Sequence, residues 1–568
     1  MDKKRLILTG GLLVIAVILF AAAAIGLWQY LTPEQLPLIP QTPAQKQDPA
    51  TVIRSEQITG MYAYDEIPDE TTRKKGMIVT LTANGYPLAY DKEKNIYYCS
   101  VGHKDVGTMV GISFGAVGKD ETEIYSLAFE NDVMDRYSYF KLINDKAYQV
   151  RVYTDAEYDE ATLVITSMPF LSITTEKASL SKTETNCTIA LQDGDWKEHG
   201  TAEYTTSHAT IRVRGASSAG FPKRPYRLNL KKDDYVTQNK MSLLGLRNDD
   251  DWILDAMYND PTRMHNRISA EIWNDMTAGH YPESDTPAMS CCYVEVIING
   301  VYQGFYDLIE PVDKKQLNLS EDGTLIKTLS WEGTYFDKYE GMPKSDLWMG
   351  FEMKMPEGGI GFEDWALFYD LLEATADYKK DTDHFVAVAS KHFDAENLTD
   401  YWIFLNAFYL RDNRGKNLYW STVDGNDPNA MFYITPWDCD VAYGYRYGGN
   451  TPINAQRIPY SEDHIKHFVL LERYLELDIH NSREMLCRKW DTLTGPGGLL
   501  SIQNVLKRYE DYFDYLLDSG AWYRETERWN QSMNPDPYEE FAYLEDWLTG
   551  RYEEYMPAVV DAWRESKE

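Results

Sequence analysis

Cysteine is scarce in this chain, six in 568 residues, and no two of them form a Cys-x-x-Cys pair. Zinc-ribbon and thioredoxin-type chemistry are thereby excluded. Cys99, Cys187, Cys291, Cys292, Cys439 and Cys487 are too few for a disulfide scaffold in so long a chain. Mostly buried thiols with at most one bridge are expected. Positive charge is short as well: 56 Lys and Arg stand against 89 Asp and Glu, a net charge of −33. Nucleic-acid binding needs positive charge to displace counterions from phosphates, so that function class is excluded; so acidic a surface suits a basic partner or is simply a solvated, soluble surface. His-Glu-x-x-His and Walker A motifs are missing, and no repeat with a period of 20–50 residues is visible.

What is present suffices for packed cores. Hydrophobic residues make up 43% and aromatics 13%, which excludes disorder over most of the chain. At roughly 150 residues per domain the length suggests two to four domains. Leu6–Trp28 is a run of 23 residues without a charge, preceded by Lys3, Lys4 and Arg5. A helix of that length spans a bilayer, and its basic flank keeps the N-terminus in the cytoplasm. The run is longer than a signal-peptide core, which favours an uncleaved single-pass membrane anchor over secretion after cleavage. Either way the bulk of the protein is extracytoplasmic. Five prolines between Leu31 and Ala50 make a semi-rigid stalk.

Residues 51–168 read as an all-β, sandwich-like domain, with strands at Met77–Thr82, Ile96–Val101, Ala147–Tyr153 and Thr162–Thr166 and an Asn84-Gly85 turn. A second domain spans 169–490. Its strands include Thr210–Arg214 and Tyr226–Leu230. The apolar recurrence of Met264, Ile268, Ile272 and Met276 predicts a helix over Thr262–Thr277. Asn299-Gly300 turns a hairpin of Tyr293–Ile298 and Val301–Leu308. Residues 491–568 form a helical part whose stripe Ile502, Val505, Leu506, Tyr509, Phe513 and Leu516 is core packing. The fold class expected is α+β.

The chemistry concentrates after Arg411. In Arg411-Asp412-Asn413-Arg414-Gly415-Lys416-Asn417, an Arg-Asp is followed five residues after the Asp by Asn, the spacing of a protein-kinase catalytic loop. Leu418–Thr422 and Met431–Thr435 then form a hairpin, and Trp437-Asp438-Cys439-Asp440 follows. A hairpin returns to its start, so Asp438 and Asp440 belong beside Asn417. The oxygen ligands that converge there suit Mg²⁺ or Mn²⁺ carrying a nucleotide. Upstream, the sixteen residues Arg212–Arg227 carry five basic side chains and no acid. Their Gly/Ser turn reads as a phosphate cradle containing Arg214 and Arg227, with Lys223 as the phosphate-contacting lysine. Glu271, off the apolar stripe of its helix, is a candidate partner for that lysine.

These residues resemble the spore coat protein H (CotH) family of atypical secreted protein kinases. The likeness lies in Ile211–Leu230, in Leu243–Trp252, in Met264-His265-Asn266-Arg267, in Val294–Glu310, and in Asp412…Asn417…Trp437-Asp438-Cys439-Asp440. The resemblance implies a kinase-like fold, use of ATP with a divalent metal, and phosphorylation of Ser (or Thr) in secreted, cell-envelope or spore-coat proteins. It makes Asp412 the catalytic Asp and Asp438 the metal-binding Asp. Asn417 and Asp440 become metal or orienting groups, and Lys223 and Arg214 phosphate contacts. Glu271 and Glu310 both lie in matching segments, and the choice between them as partner of Lys223 stays open. The acidic surface would favour a Ser-rich, basic protein substrate. The competing expectation is a non-catalytic envelope or coat protein that uses the same scaffold for binding.

Overall fold

Alternation of apolar and polar residues builds the centre of the molecule. The computed structural model describes residues 58–63, 74–75, 79–118, 125–129, 139–331, 335–358, 360–446, 449–452, 468–530, 532–534 and 536–566. The anchor and stalk expected over residues 1–50 lie outside these, and no helix among the described residues is long and apolar enough to cross a membrane. Seven strands close a barrel: β1 (Phe170–Thr175), β2 (Thr185–Gln192), β3 (Tyr204–Val213), β4 (Tyr226–Lys231), β5 (Asp251–Asp255), β6 (Cys291–Ile298) and β7 (Val301–Ile309). Their order around the barrel is β1-β2-β3-β4-β5-β7-β6, and a parallel pairing of β1 with β6 closes it. In β4 the strict alternation buries Tyr226, Leu228 and Leu230. They meet Ile211, Trp252 and Leu308 inside. Each fully buried side chain of this kind stabilises by about 1.5–3 kcal/mol. The same alternation turns Arg227 outward.

The helix α1 (His265–Thr277) connects β5 to β6. It starts three residues later than the periodicity suggests, because Asp260 accepts bonds from the Thr262 N–H and hydroxyl and from the His265 N–H. Those bonds satisfy the orphan donors of the first turn.

A five-stranded sheet follows, from β8 (Thr324–Thr328), β9 (Leu347–Trp348), β10 (Phe351–Met355), β11 (Leu418–Thr422) and β12 (Tyr433–Pro436), in the order β9-β10-β8-β11-β12. Three helices sit between β10 and β11: α2 (Phe362–Ala376), α3 (Thr382–His392) and α4 (Ala395–Ala407). The last is buried on nearly every side. The C-terminal part adds α5 (Val469–Glu476), α6 (Ser482–Thr494), α7 (Ile502–Asp518), α8 (Ala521–Arg528), α9 (Pro537–Thr549) and α10 (Met556–Glu565). On α7 the expected stripe is present: Val505, Tyr509, Phe513 and Leu516 are buried, with Ile502 and Leu506 packed at its edge. These helices share one core with α1 and the five-stranded sheet.

Before the barrel, a three-stranded and a seven-stranded sheet face each other across a core that joins Leu81 and Phe114 to Val150 and Ile165. Asn84 and Gly85 take φ of 51° and 84°, the left-handed pair that a tight hairpin requires. The hairpin they turn joins Thr80–Ala83 to Tyr86–Pro87, while Ile96–Ser100 pairs with Ala89–Asp91. All six cysteines are free thiols, so the single bridge allowed by the sequence is not formed.

Candidate active site

Register decides where the polar cluster converges. Leu418 pairs with Pro436 at the open end of the β11–β12 hairpin, so Asn417 and Trp437 become neighbours and the Trp437 N–H donates to the Asn417 carbonyl at 2.9 Å. The buried Asn413 side chain ties the two loops together. Its Nδ2 donates to the carbonyls of Asn417 at 3.0 Å and Trp437 at 2.8 Å. The Tyr401 hydroxyl in turn donates to the Asn413 carbonyl. Asn417 and Asp438 hold φ of 57° and 59°. For a residue with a Cβ that conformation costs roughly 1–2 kcal/mol, a strain concentrated where these two side chains are aimed into the cleft. Asn413→Ala would leave the buried Trp437 carbonyl without its donor and take one of two donors from the Asn417 carbonyl, and is expected to lower unfolding stability by about 1–3 kcal/mol, read by urea denaturation.

The barrel supplies the opposite wall. Asp255 ends β5 and accepts from the Asn266 side chain at 3.2 Å, while the Asn266 oxygen accepts from the Cys439 N–H at 2.9 Å. Asn259 donates to Asp440 at 2.7 Å, and the buried His265 ring lies 3.3 Å from the Asp440 carbonyl. The four residues Asp255, Asp412, Asp438 and Asp440 therefore share one electrostatic neighbourhood. Enclosure by the cleft walls, then the charge of Asp255, raises the Asp438 carboxyl above the usual range, with Arg214 and Lys327 opposing. Asp438 is itself exposed, so its carboxylate opens to solvent from between the surrounding walls rather than lying in a sealed core. Asp440 is pushed well up by the same enclosure and by Asp438. Asp412 is held by Lys416, whose ammonium lies 3.0 Å from its Oδ2.

No group of three or more His, Cys, Asp or Glu side chains among the described residues is arranged to hold a metal ion by itself. The donor set at Asp438, Asp440 and Asn417 is two carboxylates and an amide oxygen. Mg²⁺ is ordinarily bound by one or two carboxylates, with waters and phosphate oxygens completing the octahedron. Mutually repelling carboxylates on the cleft floor are the chemistry such a cation relieves, and the residues present fit it.

Four of the expected contacts need correction. Lys223 is fully buried, and its ammonium donates to the Phe305 carbonyl and to Glu525 Oε1 at 2.7 Å. Burial lowers its pKa to about 8, against the raising effect of Glu525. It therefore does not face the cleft. Its partner is Glu525 on α8, which also receives Arg263 at 3.1 Å. Glu271 instead accepts from the Tyr512 hydroxyl, and Glu310 from the Arg247 N–H, so neither reaches the lysine. Arg227 is forked onto both oxygens of Asp251, a diagonal neighbour across β4 and β5 that consumes its charge. Arg214 alone of the proposed cradle side chains keeps its guanidinium toward the cleft, 5.8 Å from the Trp437 ring. Asp255, Asn259, Asn266, Asn413, Lys327 and Lys416 join the site without having been singled out. For Asn266, Asn413 and Lys416 the signal was their place inside quoted motifs; Asp255, Asn259 and Lys327 carried none.

A cavity of about 630 Å³ lies elsewhere, lined by Asp193, His199, Arg267, Glu271 and Arg508 among others. Its charges pair with one another, as in His199 with Asp193 at 2.8 Å and Arg267 with Glu271 at 3.4 Å, and none of the four cleft aspartates lines it. Among curated proteins nothing matches this chain. A family model described as CotH kinase protein matches residues 211–555, a stretch that begins in β3, ends in the last helices and contains the whole cleft. With well over half of its length matched, the chain belongs to the CotH kinase family.

Proposed function

We propose that the cleft transfers the γ-phosphate of ATP to a Ser (or Thr) hydroxyl of a secreted or cell-envelope protein, on a kinase-like arrangement of barrel, five-stranded sheet and helices. The observation that carries this reading is the juxtaposition of Asp412, paired to Lys416, with Asp438 across loops fixed by Asn413. Asp412 takes the proton from the attacking hydroxyl. Lys416 holds that carboxylate in place. Arg214 places a fixed positive charge beside Asp438, where charge develops on the phosphoryl oxygens. Asp438, Asp440 and Asn417 would hold Mg²⁺ or Mn²⁺, which supplies charge neutralisation between phosphate oxygens when bound. The charge-free run Leu6–Trp28 behind three basic residues supports an anchored protein whose catalytic part lies outside the membrane. The net charge of −33 supports a basic, Ser-rich substrate.

The test uses the full chain with γ-labelled ATP, Mg²⁺ or Mn²⁺, and a Ser-rich basic protein. Label on serine with the wild type and none with Asp438→Ala is expected. Equal labelling by the two proteins sinks the reading.

A further inference from the structure

The wall of the cleft holds a lysine to which the transfer reaction above gives no task. Lys327 lies in β8, in register with Tyr419 of β11 on one side and Glu352 of β10 on the other. Its ammonium sits 5.1 Å from the Tyr419 ring centre and 5.3 Å from that of Trp437. Glu352, the one acid in register with it, is hydrogen-bonded to Lys354 at 3.2 Å. No carboxylate among the described residues lies within salt-bridge distance of Lys327. Arg214 reaches the same Trp437 ring from the barrel side, and it too has no carboxylate at that distance. One indole thus carries two cations from opposite walls, one residue before Asp438.

Asp438 is the opposing charge that both cations feel, from beyond salt-bridge distance. Two like charges share a partly dry wall, and cation–π contacts offset only about 0.5–2 kcal/mol each. Enclosure lowers the Lys327 pKa to about 8, and Arg214 is the next contribution in the same direction. Other cations enclosed at depth in this chain are held by acids: Lys223 by Glu525, Arg227 by Asp251, Arg524 by Glu295. Lys327 and Arg214 have no such partner, and they meet at one indole. A polyanion is the ligand class that resolves them, with the ammonium acting as a point charge and the guanidinium as a fork.

We propose that Lys327 and Arg214 form the subsite for the terminal phosphates of the nucleotide, the task that sequence order had given to Lys223. This rests on the cleft being the nucleotide site. An acidic peptide segment is the competing occupant of the same two cations.

An acyl-phosphate derivative of ATP tests it on the wild-type full chain. A lysine amine beside the phosphates attacks the acyl carbon, the bond from that carbon to the phosphate oxygen breaks, the nucleotide leaves, and an amide remains on the lysine. Peptide mapping is expected to find the acyl group on Lys327, suppressed by excess ATP and not by a poly-glutamate peptide. Lys327→Met is expected to raise the KM for ATP by about 10- to 100-fold, the worth of one charge-assisted contact, and Lys327→Arg to recover part of it. ATP-protected label on Lys223 instead, suppression by poly-glutamate alone, or an unchanged KM in Lys327→Met overturns this subsite while leaving the kinase reading in place. A wild type that takes no ATP-protected label and shows no ATP-dependent stabilisation overturns both.

Discussion

Asp412→Asn is expected to lower the rate of phosphate transfer by about 10²–10⁴-fold, the usual worth of a positioned general base, with the unfolding midpoint close to that of the wild type. The substitution keeps the size of the side chain and removes only its basicity and its ion pair with Lys416, a partly exposed pair of modest value. Stabilisation by ATP with Mn²⁺ should therefore persist. Asp438→Asn should lose both transfer and that metal-dependent stabilisation, because it removes one of only two carboxylates in the donor set. Running label transfer and thermal stabilisation on both variants separates proton transfer from metal–nucleotide binding. Wild-type transfer by Asp412→Asn would remove it from the reaction.

The largest stability effect belongs to the buried partner of Lys223. Glu525→Ala is expected to cost about 3–5 kcal/mol, because Lys223 and Arg263 are left facing each other without an anion in a fully buried site. The carboxylate also accepts from the Phe305 N–H at 3.1 Å, so a backbone donor is orphaned too. Lys223→Met is the informative companion. It leaves Glu525 balanced by Arg263, and it should cost less and leave the KM for ATP unchanged, since Lys223 does not face the cleft. A large loss of ATP affinity in Lys223→Met would restore that lysine to the phosphate site. Urea denaturation of the full chain, beside ATP titration, reads both quantities.

Local patterns located much of this architecture. The alternation of Tyr226, Leu228 and Leu230, the four-residue recurrence through Ile268 and Ile272, and the Asn299-Gly300 turn each name an element without reference to any other. The mouth of the site was legible for the same reason, since Asn417 and Trp437 are joined by a single hairpin whose register follows from its turn. The pairing of Lys223 was not, because its partner lies 302 residues away and nothing in the α8 sequence marks Glu525 as buried. Lys327 and Asp255 look like ordinary polar positions on alternating strands until barrel and sheet are set face to face. Closure of the barrel is equally non-local, since β1 and β6 pair in parallel across more than a hundred intervening residues.

That separation sets a timetable for synthesis. Chains emerge N-terminus first at about 5–20 residues per second, so Glu525 follows Lys223 by roughly 15–60 s. Once β7 ends at Ile309 the barrel strands are all available, and for the rest of that interval Lys223 and Arg263 lack the Glu525 counter-charge. Gly304 adds a steric reason for the order: with φ of 94° it leaves the space where a Cβ would stand 2.0 Å from Glu525 Oε2. The last helices thus act as a plug in a seat shaped for it, and a chain interrupted before residue 525 would leave Lys223 and Arg263 without their counter-charge.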